Sequence, residues 1–117
     1  MGTGTGAKRR DIPPGTLAML ILKSINRCGP LHGFGIAQFI AQTTDGVLQV
    51  EEGTLYPALQ RLLINGWVRG TWKQTENNRR ARYYSLTPEG RKQMRAEVNG
   101  FEEIVRAITR VIQPAAF

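Results

Sequence analysis

The 117-residue chain has one cysteine, Cys28, and one histidine, His32. A lone cysteine excludes an internal disulfide and a cysteine-built zinc site, and it fits a reducing cytoplasm. A lone histidine inside the glycine-rich run Leu31-His32-Gly33-Phe34-Gly35 is a structural residue sooner than a catalytic one. Carboxylates are few: 9 Asp and Glu stand against 16 Lys and Arg. Those that come in pairs, Glu51-Glu52 and Glu102-Glu103, are sequence neighbours, which do not face each other on a helix. No phosphate-cradling glycine loop and no metal-ligand spacing occurs. An enzyme, a cofactor and a metal site are therefore not expected. The amino terminus lacks an apolar signal segment, and no apolar run approaches the roughly 20 residues of a membrane span. These absences leave a soluble cytoplasmic protein of one domain, long enough to bury a core.

What is present is positive charge. A formal net charge of +7 favours a polyanionic partner, nucleic acid or an anionic membrane surface. Met1 to Asp11, rich in glycine and threonine and ending in Lys8-Arg9-Arg10, has little to bury, so residues 1–13 are expected to form a free basic arm. Pro13-Pro14 suits a helix start, and Leu17, Leu20, Ile21 and Ile25 recur at helical spacing until Gly29-Pro30. Leu31 to Ile36 opens a second helix, and its two glycines argue for close backbone packing. Thr43-Thr44-Asp45-Gly46 ends it with turn chemistry, and Val47 to Val50 is a short extended lead-in.

A third helix follows. Leu55, Leu59, Leu62 and Leu63 fall on one side of its wheel with Ala58 beside them. Thr54, Pro57, Gln60 and Arg61 fall on the other. Proline is tolerated in a first turn, so the helix is expected to begin near Gly53 or Thr54. Trp67–Lys73 and Arg79–Leu86 then read as a hairpin around the polar Gln74-Thr75-Glu76-Asn77-Asn78. Arg69, Lys73, Arg79, Arg80 and Arg82 stand there against the single acid Glu76. Thr87 and Pro88 start a last helix as cap and first residue. Its Met94, Val98, Phe101, Val105, Ile108 and Ile112 alternate steps of four and three, an a/d pattern of nearly three heptads.

This order predicts a mostly α, α+β fold: a winged helix-turn-helix over residues 14–86 and a dimerisation helix with tail over 87–117. The second helix of such a motif enters the major groove with its amino-terminal half near the base edges. Gln60 can read adenine, Arg61 can reach guanine or phosphate, and Thr54 can take a phosphate, with Tyr56 at the flank. The wing, through Lys73, Arg79, Arg80 and Arg82, would lie along the backbone or in the minor groove, which attracts arginine. A single helix with an apolar stripe wants a partner, and a homodimer is the economical one. Trp67, Trp72 and Phe101 are candidates for an aromatic effector pocket near the seam. From the residues alone, a winged helix that docks protein partners is the competing possibility.

Four linked motifs resemble the PadR family of bacterial transcriptional regulators. They are Leu31–Ile36; Glu52–Leu59 with Arg61-Leu62; Asn65-Gly66-Trp67-Val68; and Arg80–Arg91. The fragment Gly53-Thr54-Leu55-Tyr56-Pro57 is the sharpest. The resemblance covers about Gly15 to Met94. It implies a dimeric winged-helix repressor of double-stranded DNA, bound at inverted repeats related to ATGT and ACAT, and in some members released by a small aromatic ligand. Carried over by position, Thr54, Tyr56, Pro57, Gln60, Arg61, Lys73, Arg79 and Arg82 would face DNA. One helix follows the wing, as in the short subfamily. That helix carries Phe101 and no tryptophan, unlike some effector-binding relatives.

Overall fold

The computed structural model describes residues 9–113. In chain order the elements are β1 (Arg10–Asp11), α1 (Leu17–Cys28), β2 (Leu31–His32), α2 (Gly33–Thr43), β3 (Leu48–Gln49), α3 (Glu52–Ile64), β4 (Val68–Gln74), β5 (Arg80–Leu86) and α4 (Pro88–Ile112). The architecture is mixed α+β and mostly helical.

Each element forms where its residues direct. α1 presents Met19, Ile21, Leu22 and Ile25 inward at three-to-four spacing. α3 buries Leu55, Ala58, Leu59 and Leu62, and leaves Thr54, Pro57, Gln60 and Arg61 exposed. Ile36 and Ile40 of α2, Val68 and Tyr84 of the hairpin, and Met94 of α4 complete one core. Each fully buried Ile or Leu contributes about 1.5–3 kcal/mol of apolar transfer. α1 is the central helix: it packs against α2, α3, β5 and α4. Thr87 fastens α4 to the domain. Its hydroxyl accepts from the Gly90 N–H at 2.9 Å and donates to the Gly66 carbonyl at 2.6 Å.

The hairpin pairs Val68 with Leu86 through Gln74 with Arg80. It closes through a turn in which the Asn78 N–H donates to the Thr75 carbonyl and Asn78 takes φ 62°. β5 is the middle strand of a three-stranded sheet, with β2 on its other edge.

Several expectations are corrected. Leu31-His32 does not open α2. It pairs with Tyr84 and Tyr83 as a third strand, and the helix begins at Gly33. Arg10 and Asp11, expected in a free arm, pair in parallel with Leu48 and Gln49, while Ile12 packs against the core. Met1 to Lys8 of that arm lie outside the described residues. Pro57 sits in the second turn of α3, not the first, because the helix already starts at Glu52. Proline has no N–H, so the Gly53 carbonyl loses its helical donor. Gly53 is exposed, and water can meet that acceptor.

α4 divides in two. Met94 is 5% exposed and half-buried Val98 packs against the same core, so both serve the core of their own domain. From Phe101 onward the stripe has no cover. Phe101, Ile104, Val105, Ile108, Val111 and Ile112 are all exposed. A helix of 25 residues is roughly 37 Å long, and its later turns run past the core. The Cα radius of gyration, 16.3 Å, exceeds the roughly 13 Å of a compact 100-residue domain.

Candidate nucleic-acid interface

Two surfaces meet at the amino-terminal end of α3. The first is its exposed face, Thr54, Pro57, Gln60 and Arg61. The buried leucines opposite fix its orientation, since a helix that commits one stripe to the core must turn the other outward. Tyr56 stands at the flank, 44% exposed. Its phenol lies over the start of α2, where a methyl group on Gly33 would stand 2.9 Å from the Tyr56 hydroxyl. The glycine that sequence reasoning marked for close packing thus makes room for Tyr56. His32 caps α2: its Nδ1 accepts from the Gly35 N–H at 2.9 Å, and its ring rests edge-on against Tyr83. Sequence reasoning did not place His32 or Tyr84 here. The pairing of β2 with β5, which brings them in, has no signal in a two-residue strand.

The second surface is the wing, and its register sorts the basic residues. Opposed residues of an antiparallel pair share a face. Val68, Gly70, Trp72 and Gln74 therefore lie on one face with Leu86, Tyr84, Arg82 and Arg80. That face is core at its root, where Val68 and Tyr84 are buried, and becomes a basic, aromatic wall toward the tip. The Arg80 guanidinium lies 5.3 Å over the Trp72 ring. Arg69, Thr71 and Lys73 take the other face, where the Lys73 ammonium lies 5.2 Å over the Tyr83 ring. Lys73 is thus separated from Arg80 and Arg82, with which it was grouped on sequence. Arg79 is exposed at the tip.

Between the wing and the ends of α2 and α3 lies a cavity of about 550 Å³ whose wall includes Tyr56, Trp72, Tyr84 and Arg82. Burial pushes the Tyr84 phenol above its ordinary pKa. The Arg82 charge opposes that rise and the Tyr56 phenol adds to it. Of the three residues expected to form an aromatic pocket, only Trp72 reaches this cavity. Trp67 is half-buried against the core, and Phe101 lies exposed on α4. The fold does not gather them in that cavity.

An α-helix with an exposed polar face, followed by a basic two-stranded wing on the same side of a three-helix core, is the arrangement of a winged helix. The model of the transcriptional regulator PadR-like family matches residues 21–96. The chain belongs to that family. A transcriptional regulator of known structure from Clostridium thermocellum is 28% identical, matching 85% of this chain and 95% of its own, with a TM-score of 0.76. A PadR family regulator from Clostridium difficile shares the fold at 22% identity, over 85% of this chain and all of its own, with a TM-score of 0.72. An uncharacterized protein from Lysinibacillus sphaericus is 28% identical over 100 residues, 86% of this chain and 91% of its own. PadR-like proteins are transcriptional regulators, not enzymes. This one is a winged-helix, DNA-binding regulator of transcription. No helix among the described residues is long and apolar enough to cross a membrane.

Proposed function

We propose that this PadR-like protein is a cytoplasmic repressor that acts by occupancy. Two copies joined through α4 bind an inverted-repeat operator and deny it to polymerase. The observation that carries this reading is the juxtaposition of the exposed face of α3 with the arginine-bearing wing. In the proposed complex Gln60 and Arg61 meet base edges. Thr54, Tyr56 and Pro57 lie against the backbone at the groove entrance. Arg79, Arg80 and Arg82, with Lys73 from the far face of the wing, meet phosphates. Phosphate contacts supply most of the affinity.

The exposed stripe from Phe101 to Ile112 supports self-association, since water-exposed apolar side chains at i, i+3, i+4 and i+7 spacing are the seam of a coiled coil. A two-fold dimer sets two α3 helices for half-sites about 34–36 Å apart, one turn of B-DNA. Release of the repressor by a small aromatic ligand completes the proposal.

The test is a gel shift of the full chain against the DNA that flanks its own gene, with light scattering of the free protein. The expected results are twice the chain's mass in solution and a complex on a fragment containing an inverted repeat. Failure to shift any fragment at low salt would favour the protein-docking alternative.

A further inference from the structure

α4 holds one residue that packing does not explain. Gly100 sits in the interior of a 25-residue helix. Glycine there weakens the helix relative to alanine, because its backbone surrenders the most freedom on folding. Helical Gly33 and Gly90 give space to close neighbours, Tyr56 and the Trp67 backbone. At Gly100 an added methyl group would meet nothing within 4 Å. Asn99 beside it is exposed and is itself a weak helix former. The pair falls at the boundary within α4. Val98, just before it, packs against the core, and Phe101, just after it, begins the uncovered stripe. Each side is braced within itself. Before the pair, Gln93 Nε2 donates to Glu97 Oε2 at 2.9 Å. After it, Glu102 and Arg106 stand four apart in the order that favours a helix.

We propose that Gly100 is a hinge that sets how far the spacing of the operator's half-sites can vary. This rests on the dimeric, operator-binding reading above. The domain and the first part of α4 pivot as one body on the paired carboxyl-terminal parts. Glycine is among the few causes of a sharp helix kink, and hinges are a few residues at element boundaries that absorb dihedral change. The lever is long enough to matter. Residues 101–112 span roughly 18 Å, so a bend of about 10° displaces their end by about 3 Å. One base-pair step is about 3.4 Å, and it turns the half-site by about 34°. Two hinges, one per copy, share that change with the DNA. Alanine at this position holds both domains at one separation.

Two measurements on the full chain test it, and the first needs no DNA. Spin labels at Lys23→Cys and Arg110→Cys, with the exposed Cys28 changed to Ser, report the angle between α1 and the end of α4. Labelled chains are diluted with unlabelled ones, so that distances within one chain are read. The expected distribution is broad, and Gly100→Ala should narrow it. The added methyl group has open space, so this variant should melt no lower than the wild type. Ala96→Gly combined with Gly100→Ala keeps a glycine in α4 but moves it one turn back, between the core residues Met94 and Val98. It should behave as Gly100→Ala does. The second measurement is the Kd on operators with one base pair added to or removed from the half-site spacing. The wild type should stay within about tenfold of its affinity at the native spacing. Gly100→Ala should keep that affinity and lose about a further tenfold on the altered operators. Equal distance distributions in the wild type and Gly100→Ala overturn the hinge. Equal spacing tolerance in the two overturns its role in operator choice, as does wild-type tolerance in the double variant. If the protein is monomeric or binds no DNA, the operator role falls with that reading, and the distance measurement still decides whether α4 bends at Gly100.

Discussion

Tyr84 stands where core becomes wing, 5% exposed and paired with Leu31 and Gly70. Its phenol is held protonated by burial, so its folded pKa lies above the unfolded value of about 10. Stability from this group is fully present below pH 10 and is lost as pH rises through the folded value, because the unfolded chain releases the proton first. Tyr84→Phe should match the wild type at neutral pH and lose less stability between about pH 9 and pH 11. Urea unfolding across that range measures it. Gly90 carries a different constraint. A methyl group there would collide with the Trp67 carbonyl oxygen, a backbone atom that cannot swing aside. Gly90→Ala should cost about 3 kcal/mol, the upper range of overpacking, and lower the thermal midpoint by more than 10 °C, since about 1 kcal/mol moves a domain of this size by roughly 4–8 °C. The sequence shows Gly90 only as the residue after Pro88-Glu89. That the first turn of α4 lies against the Trp67 backbone is a tertiary fact.

At the scale of elements, α3 and the wing differ in what they are proposed to read. Gln60→Ala and Arg61→Ala should narrow the gap between operator and random DNA, by about 1–3 kcal/mol for a lost bidentate base contact. Arg79→Ala and Arg82→Ala should weaken all sequences alike and lower the salt slope by about one each. The register adds a distinction that sequence could not make. Lys73 lies on the far face of the wing, so Lys73→Ala should change the slope less than Arg82→Ala does. Gel shifts over a salt series on both DNAs decide it; an equal loss from Lys73→Ala would count against the facial assignment. The helical faces were legible because burial repeats every 3.6 residues along α1 and α3. The strands β1 and β2 were not, because two residues carry no period and their pairing depends on distant partners.

At the scale of the whole molecule, α4 leaves the core after Val98 and carries its remaining apolar side chains into solvent. Ile108 is 51% exposed in the single chain. Ile108→Glu should therefore leave the domain folded, abolish the proposed dimer and weaken operator binding steeply, since one half-site replaces two. Light scattering and a thermal melt together check this, and a variant that stays dimeric would place the seam elsewhere. The sequence by itself determined the order of the four helices and the hairpin, the inward faces of α1 and α3, the amino-terminal cap of α4 and the basic wing. These follow from local periodicity, turn chemistry and charge, which need no knowledge of distant residues. The tertiary structure decided that Met94 and Val98 serve their own core, that Arg80 and Arg82 part from Lys73, and that Tyr56, Trp72 and Arg82 wall one cavity. Those outcomes depend on strand register and helix crossing, where residues far apart in sequence meet.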